Sequence, residues 1–386
     1  MVFYPSFCRN GTIRQYTISN KIFSVTRETY FSTEFLDFVN ALVVLGSNTF
    51  DGIAEIFNLG SDIKLCAKRI EDAFLVYNMA LILPNFTYNE VRMKNRELDI
   101  EEMMLSIYPS ARNLFLAKSI YHSCSVIGCK ERYLVIDGNE KRFRSICAEG
   151  RQDVKRLDQG LPNIVLKCIN VPDIKNGSKY CKDHFKNNKH TEIERLDVRI
   201  TRSMNVDTVI RIEGECRKDS NVPKYVQRTA GMFYGFRPCG YRVFSMEMYT
   251  AESLSSVFVA LADIFGSEEI KELKGLVYDR ACGLFKTVTK MAQKGNRVAE
   301  NYSKLDYIVD SFHIKGHTEP NCMKEHFLKL DKYSHVKGMN TLAAEQGFSI
   351  LNKTNRSTRP MTYCRRLVYM LVIDDLFNTS LDDKRK

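Results

Sequence analysis

The chain has 386 residues, with 57 lysines and arginines against 46 aspartates and glutamates, a formal net charge of +11, 12 cysteines and no tryptophan. At 44% apolar it can bury a core in two or three units, which excludes a mainly disordered chain. Its longest apolar runs, such as Leu254–Phe265 and Leu367–Ile373, fall well short of the ~20 residues of a membrane span, so no membrane partner is expected. The first residues carry no apolar segment behind a basic one, so secretion is not expected, and the cysteines read as buried thiols or metal ligands rather than disulfides. The basic balance favours a polyanionic partner, with incidental surface charge as the alternative.

Residues 1–120 form a helical N-terminal region by pattern. Phe31–Leu45 and Ile63–Leu83 place apolar residues at helical spacing, with Ser32 and Ser61 as N-caps. A pair of short helices is expected around Asn48–Leu59, either a DNA-binding helix-turn-helix or an ordinary helical hairpin. A second region spans 121–376. It opens on the short strand Arg132–Ile136, which is expected to stop at the turn-forming Asp137-Gly138-Asn139. A polar, Cys- and Lys-rich insertion follows, over 145–220. Strands are expected at Thr229–Phe236 and Tyr241–Tyr249, a helix at Ala251–Phe265, a short buried strand at Gly275–Tyr278, and helices at Asn340–Leu351 and Tyr363–Leu376. Residues 377–386 are a tail. Strand, insertion, two strands, helix, strand and further helices make an α/β pattern.

Asp137 ends the run YLVI and Asp279 ends GLVY. Carboxylates at the ends of two buried strands, joined by a third from a helix, can hold divalent cations for attack on phosphodiesters. Glu345 is the third candidate, and the small Ala343 and Ala344 beside it would let its helix approach a sheet closely. Cys124 and Cys129, just before the first strand, and Cys147, Cys168, Cys181 and His184, after it, have spacings that suit tetrahedral Zn²⁺. Cys168, Cys181 and His184 form the firm part, the fourth ligand stays open among Cys124, Cys129 and Cys147, and free thiols are the other reading. His313, His317 and Cys322 are a weaker set, either a metal site or histidines bonded to backbone. Lys141, Arg142 and Arg144, and Lys224 and Arg228, interleave with aromatics as nucleic-acid contacts would, or as a solvated strand edge would.

Several motifs stand in a fixed order: Asp137-Gly138-Asn139; Gly231-x7-Cys239-Gly240 followed by Ala251-Glu252-Ser253; Tyr278-Asp279-Arg280-Ala281-Cys282; and Asn340–Gln346 (NTLAAEQ). With GSKYCKDH at 177–184 and the His–Cys stretch 313–322, they resemble the DDE transposases of the Kyakuja-Dileera-Zisupton group and related animal proteins of transposon origin, over residues 124–376. The resemblance implies an RNase H-like fold, a mixed five-stranded sheet flanked by helices. Asp137 would lie on the first strand, Asp279 on the strand after the next helix, and Glu345 on a helix beyond an insertion. It implies metal-dependent DNA strand cleavage and transfer by two-metal phosphoryl transfer, a nuclear protein, DNA as partner and a homo-oligomeric working state. Asp137 would bridge two Mg²⁺ or Mn²⁺ ions, and Asp279 and Glu345 would each hold one, beside a structural Zn²⁺ in the insertion. The stretch between Asp279 and Glu345 is short for this family, and the first 120 residues match no DNA-binding module. Rival readings are a domesticated, inactive nucleic-acid binder, a zinc-stabilised protein-interaction module, and a nuclease on the same fold.

Overall fold

The computed structural model describes residues 2–3, 21–25, 29–46, 48–60, 64–83, 100–147, 151–154, 164–168, 170–172, 178, 180–185, 229–248, 252–266, 269–309, 312–318 and 320–384. They fall into two units: Met1–Ala117 with Lys353–Lys386, and Lys118–Asn352.

In the first unit, strands β1 (Val2–Phe3), β2 (Ile22–Ser24) and β3 (Tyr30–Ser32) form an antiparallel sheet in the order β1-β3-β2. Phe31 and Ser32 are therefore strand, and helix α1 (Thr33–Val44) begins behind them. Ser32 is its N-cap, accepting from the Phe35 amide at 3.2 Å, which satisfies a donor that no helical carbonyl can reach. Helix α2 (Phe50–Leu59), capped by Thr49, is one helix where a pair was expected, and it packs against α1 and α3 (Ala67–Ile82). Ser61 lies outside the described residues; Cys66 stands at the N-cap of α3 and makes no side-chain cap bond.

Helix α3 is buried at Ile70 and continuously from Ala73 to Ala80, which makes it the centre of this unit. The C-terminal helix Tyr363–Asp383 lies on it, with the Tyr369 ring 5.8 Å from Phe74 and 6.1 Å from Phe50. This packing groups residues from 353 onward with the first unit, whereas the sequence pattern extends the second region to 376. The buried Arg365 ties three helices together. It meets Glu71 at 2.7 Å and Asp72 at 2.6 Å on α3, and Glu101 at 2.7 Å on α4 (Ile100–Ile120). Burial alone would lower its pKa; Glu71 and Asp72 outweigh that and raise it.

The second unit is organised by β4 (Tyr133–Asn139), whose Tyr133, Leu134, Val135 and Ile136 are all buried, as suits a central strand covered on both faces. After it come a hairpin of β5 (Arg151–Val154) and β6 (Ile164–Lys167), and the short helix α5 (Lys182–Phe185). Then follow β7 (Gly231–Phe236), β8 (Arg242–Met248), α6 (Leu254–Ile264), β9 (Gly275–Val277), α7 (Ala281–Gln293), α8 (Arg297–Tyr302), β10 (Asp306–Ile308), α9 (Pro320–Glu325) and α10 (Ala343–Leu351). The main sheet has the order β10-β9-β4-β7-β8. β4, β9 and β10 are parallel, and β7 is antiparallel to both β4 and β8. It is a mixed five-stranded sheet flanked by helices.

β4 does not stop at Asp137. It runs on through Asn139, because Asp137, Gly138 and Asn139 pair with Tyr234, Phe233 and Met232 of β7. A ladder partner distant in sequence overrides the local turn preference. Helix α10 packs on β4 and β7. Ala343 and Ala344 are buried, and a Cβ on Gly347 would come within 2.5 Å of the Phe236 ring, so this small-residue face allows the close approach. Phe348 fills the remaining space against Tyr234 and Phe236. Among the described residues no helix is long and apolar enough to cross a membrane.

Candidate active site and metal centres

Val135 of β4 and Val277 of β9 are paired, and Asp137 and Asp279 each stand two residues further on. Adjacent parallel strands thus deliver both acids to one end of the sheet. Asp137 is held by the β7 ladder, and its Oδ1 accepts from the Gly138 amide at 2.8 Å. A third carboxylate joins them: oxygens of Asp137, Glu252 and Asp279 lie within 4.8 Å of one another. Glu252 stands just before Ser253, the N-cap of α6, and accepts a hydrogen bond from the Tyr278 hydroxyl. Burial raises the Tyr278 pKa well above its ordinary value, and Glu252 and Asp279 add to it, so the phenol stays a donor. A Cβ at Gly138 would collide with the Glu252 carboxylate, so the glycine after Asp137 makes room for the third acid.

Asp137, Asp279, Glu345, His313, Thr341 and Ala344 line one pocket. Glu345 Oε1 is 3.9 Å from His313 Nε2, and its Oε2 is buried with no hydrogen-bond partner among the described residues. The structure therefore brings Asp137, Asp279 and Glu345 to one pocket, while Glu252 is the acid that closes on the two aspartates. The sequence shows Glu252 only as part of a motif. Its placement depends on the β8–α6 connection, and the signal for it is the need for glycine at 138.

In the insertion, the pairing of Arg151 with Lys167 brings the two ends of the β5–β6 hairpin together, with Cys147 ahead of one and Cys168 directly after the other. Cys181 and His184, at and in α5, complete the set. Ligand atoms of Cys147, Cys168, Cys181 and His184 all lie within 4.8 Å of one another. His184 Nδ1 is 3.4 Å from Cys147 Sγ and 3.3 Å from Cys181 Sγ, and Cys168 and Cys181 sulfurs are 4.0 Å apart. These lengths are near the edges of a tetrahedron with Zn–S ~2.3 Å and Zn–N ~2.0 Å. The Cys181 amide donates to Cys147 Sγ at 3.2 Å, a bond that favours a thiolate. Burial pushes the Cys168 thiol up to about 12, with the Asn170 backbone opposing and Cys147 and Cys181 adding, so a cation is what would make this thiol a thiolate here. The cluster could bind zinc, and Cys147 is its fourth member. Cys124 and Cys129 lie elsewhere, beside Cys239.

The weaker histidine set is divided. His317 and Cys322 group with Cys282 of α7, while His313 faces Glu345. His317 Nδ1 is 3.3 Å from Cys282 Sγ, and its Nε2 is 2.8 Å from the Asp279 carbonyl oxygen. Two of the basic candidates are corrected by burial. Arg144 is 0% exposed and forms an ion pair with Glu247 at 2.9 Å; Arg142 is 1% exposed and donates to the Leu351 carbonyl. Neither presents its guanidinium to a phosphate. The backbones of Arg144 and Thr229 are also joined, Thr229 N–H to Arg144 carbonyl at 2.9 Å, and Thr229 Oγ1 accepts from the Arg144 amide at 3.1 Å. Lys141 is exposed, and Lys224 and Arg228 lie outside the described residues.

Neither the curated proteins nor the solved structures contain a match to this chain. Residues 225–380, which include Glu252, Asp279 and Glu345, match the family model of the Kyakuja-Dileera-Zisupton transposases, the group whose motifs the sequence resembles.

Proposed function

We propose that the chain is a transposon-derived enzyme that cuts and joins DNA strands, with a divalent cation site built on Asp137, Asp279 and Glu345 and completed by Glu252. The observation that carries this reading is the equal register of Asp137 and Asp279, each two residues beyond a paired valine on adjacent parallel strands. The mixed sheet supports an RNase H-like architecture: Asp137 lies on its first strand, Asp279 follows β9, the strand after α6, and Glu345 lies on a later helix.

The donor set fits Mg²⁺ or Mn²⁺. It is all oxygen, and three carboxylates within 4.8 Å repel one another unless a cation or protons balance them. Glu345 Oε2, buried without a hydrogen-bond partner among the described residues, belongs to a further acid lining the same pocket. Bound there, a divalent cation supplies activation of a water or 3′-hydroxyl and stabilisation of the leaving oxygen. The chain's own contribution is positioning. The β4–β7 ladder holds Asp137, the Tyr278 hydroxyl orients Glu252, and His313 stands beside Glu345, where it can share a proton with the carboxylate or with the attacking group. The Cys147–Cys168–Cys181–His184 set would hold a structural Zn²⁺ that staples the insertion. The net charge of +11 suits DNA as partner; action on chromosomal DNA places the protein in the nucleus, and cutting two element ends together calls for a homo-oligomer.

The test is incubation of the purified chain with supercoiled plasmid and Mg²⁺ or Mn²⁺, beside Asp137→Asn and Asp279→Asn. Wild-type nicking should fall at least ~1,000-fold in either variant, while salt-sensitive DNA affinity persists. Undiminished nicking by Asp279→Asn sinks the assignment. DNA binding without nicking by the wild type would make the chain a domesticated binder instead.

A further inference from the structure

We propose a second structural zinc site, formed by His122, Cys124, Cys129 and Cys239, that clamps the segment in front of β4 to the turn between β7 and β8. It shares no residue with the insertion cluster or with the acid pocket. Ligand atoms of His122, Cys124 and Cys239 lie within 4.8 Å of one another. His122 Nε2 is 3.4 Å from Cys239 Sγ, against the ~3.5 Å edge of a tetrahedron with Zn–N ~2.0 Å and Zn–S ~2.3 Å. The buried Cys129, beside Cys239, is the fourth ligand that the proposal assigns.

The backbone presents these ligands from tight turns. The Cys129 amide bonds to the Val126 carbonyl at 3.0 Å, and the Cys129 carbonyl accepts from Arg132 at 3.0 Å. Cys239 sits inside a turn closed by Gly240 N–H to the Arg237 carbonyl at 2.8 Å. The His122 ring is stacked on Tyr241 at 3.8 Å, which fixes the imidazole plane with Nε2 toward the sulfurs.

A buried cation also joins these segments. Arg237 is fully buried between these segments. Its Nη1 donates to the Tyr133 carbonyl at 3.3 Å and its Nη2 to the Ile120 carbonyl, while its Nε has no partner among the described residues. One Zn²⁺ with three thiolates and a neutral imidazole would carry a net charge of −1 next to this buried guanidinium.

The experiment is peptide-mapped alkylation of the full chain purified with zinc, with and without a chelator, beside a zinc count on wild type and Cys239→Ser. Cys124 and Cys239 are partly exposed, so as free thiols they would react readily. The expected result is alkylation of both slowed at least ~10-fold until the chelator is added, and loss of one zinc per chain in Cys239→Ser. Equal rates with and without chelator overturn the proposal. Protection that only a reductant releases identifies a disulfide and overturns it too. If Cys239→Ser does not fold, the wild-type rates decide.

Discussion

Gly138 is the residue at which the pocket's geometry is most sensitive to a single atom. The Glu252 carboxylate rests where a side chain at 138 would be, and it is the flexible end of that glutamate, not backbone, that a Cβ would strike. Gly138→Ala is therefore expected to cost under ~1 kcal/mol of stability, because the carboxylate can swing away. The same swing takes Glu252 out of reach of Asp137 and Asp279, so Mn²⁺ affinity measured by calorimetry should fall ~10-fold. Unchanged affinity would remove Glu252 from the site. Arg142 and Arg144 give the opposite lesson. A basic, aromatic-interleaved run reads like a phosphate contact, yet the segment after β4 turns both arginines inward to Leu351 and Glu247.

Among the elements, α10 shows how residue size sets a functional position. Ala343, Ala344 and Gly347 let it lie against β4 and β7, which is what carries Glu345 to the pocket. Gly347→Leu should push the helix off Phe236 and lower nicking ~10-fold or more while DNA binding holds; equal activity would show that Glu345 needs no such placement. In the first unit, Arg365→Met should cost ~3–5 kcal/mol in urea unfolding, because Glu71, Asp72 and Glu101 lose the guanidinium they share and only the more exposed Lys68, 3.6 Å from Asp72, stays beside them. Much of this was legible beforehand. The Ser32 cap, β7, β8, α6, β9 and the C-terminal helix follow from apolar period and capping residues, and the small residues beside Glu345 indicated a close-packed helix. The features that the sequence does not display depend on distant partners. The end of β4 is set by β7, the fourth insertion cysteine by the β5–β6 hairpin, and Glu252 by a carboxylate reaching across to Gly138.

For the molecule as a whole, metal should stabilise some segments and leave others alone. Chelation of the Cys147–Cys168–Cys181–His184 cluster is expected to open residues 147–185 to protease while the five-stranded sheet keeps its far-ultraviolet signature. Loss of the sheet at the same chelator concentration would mean that the insertion is no separate lobe. The hydrogen bonds between Arg144 and Thr229 bear on more than stability. They make a doorway through which the chain leaves the sheet and comes back at nearly the same point. The spacing of Asp137 and Asp279 is set by strand pairing, so the length of what lies beyond the doorway does not enter it. That cassette can therefore be exchanged, shortened or enlarged without moving Asp137 relative to Asp279.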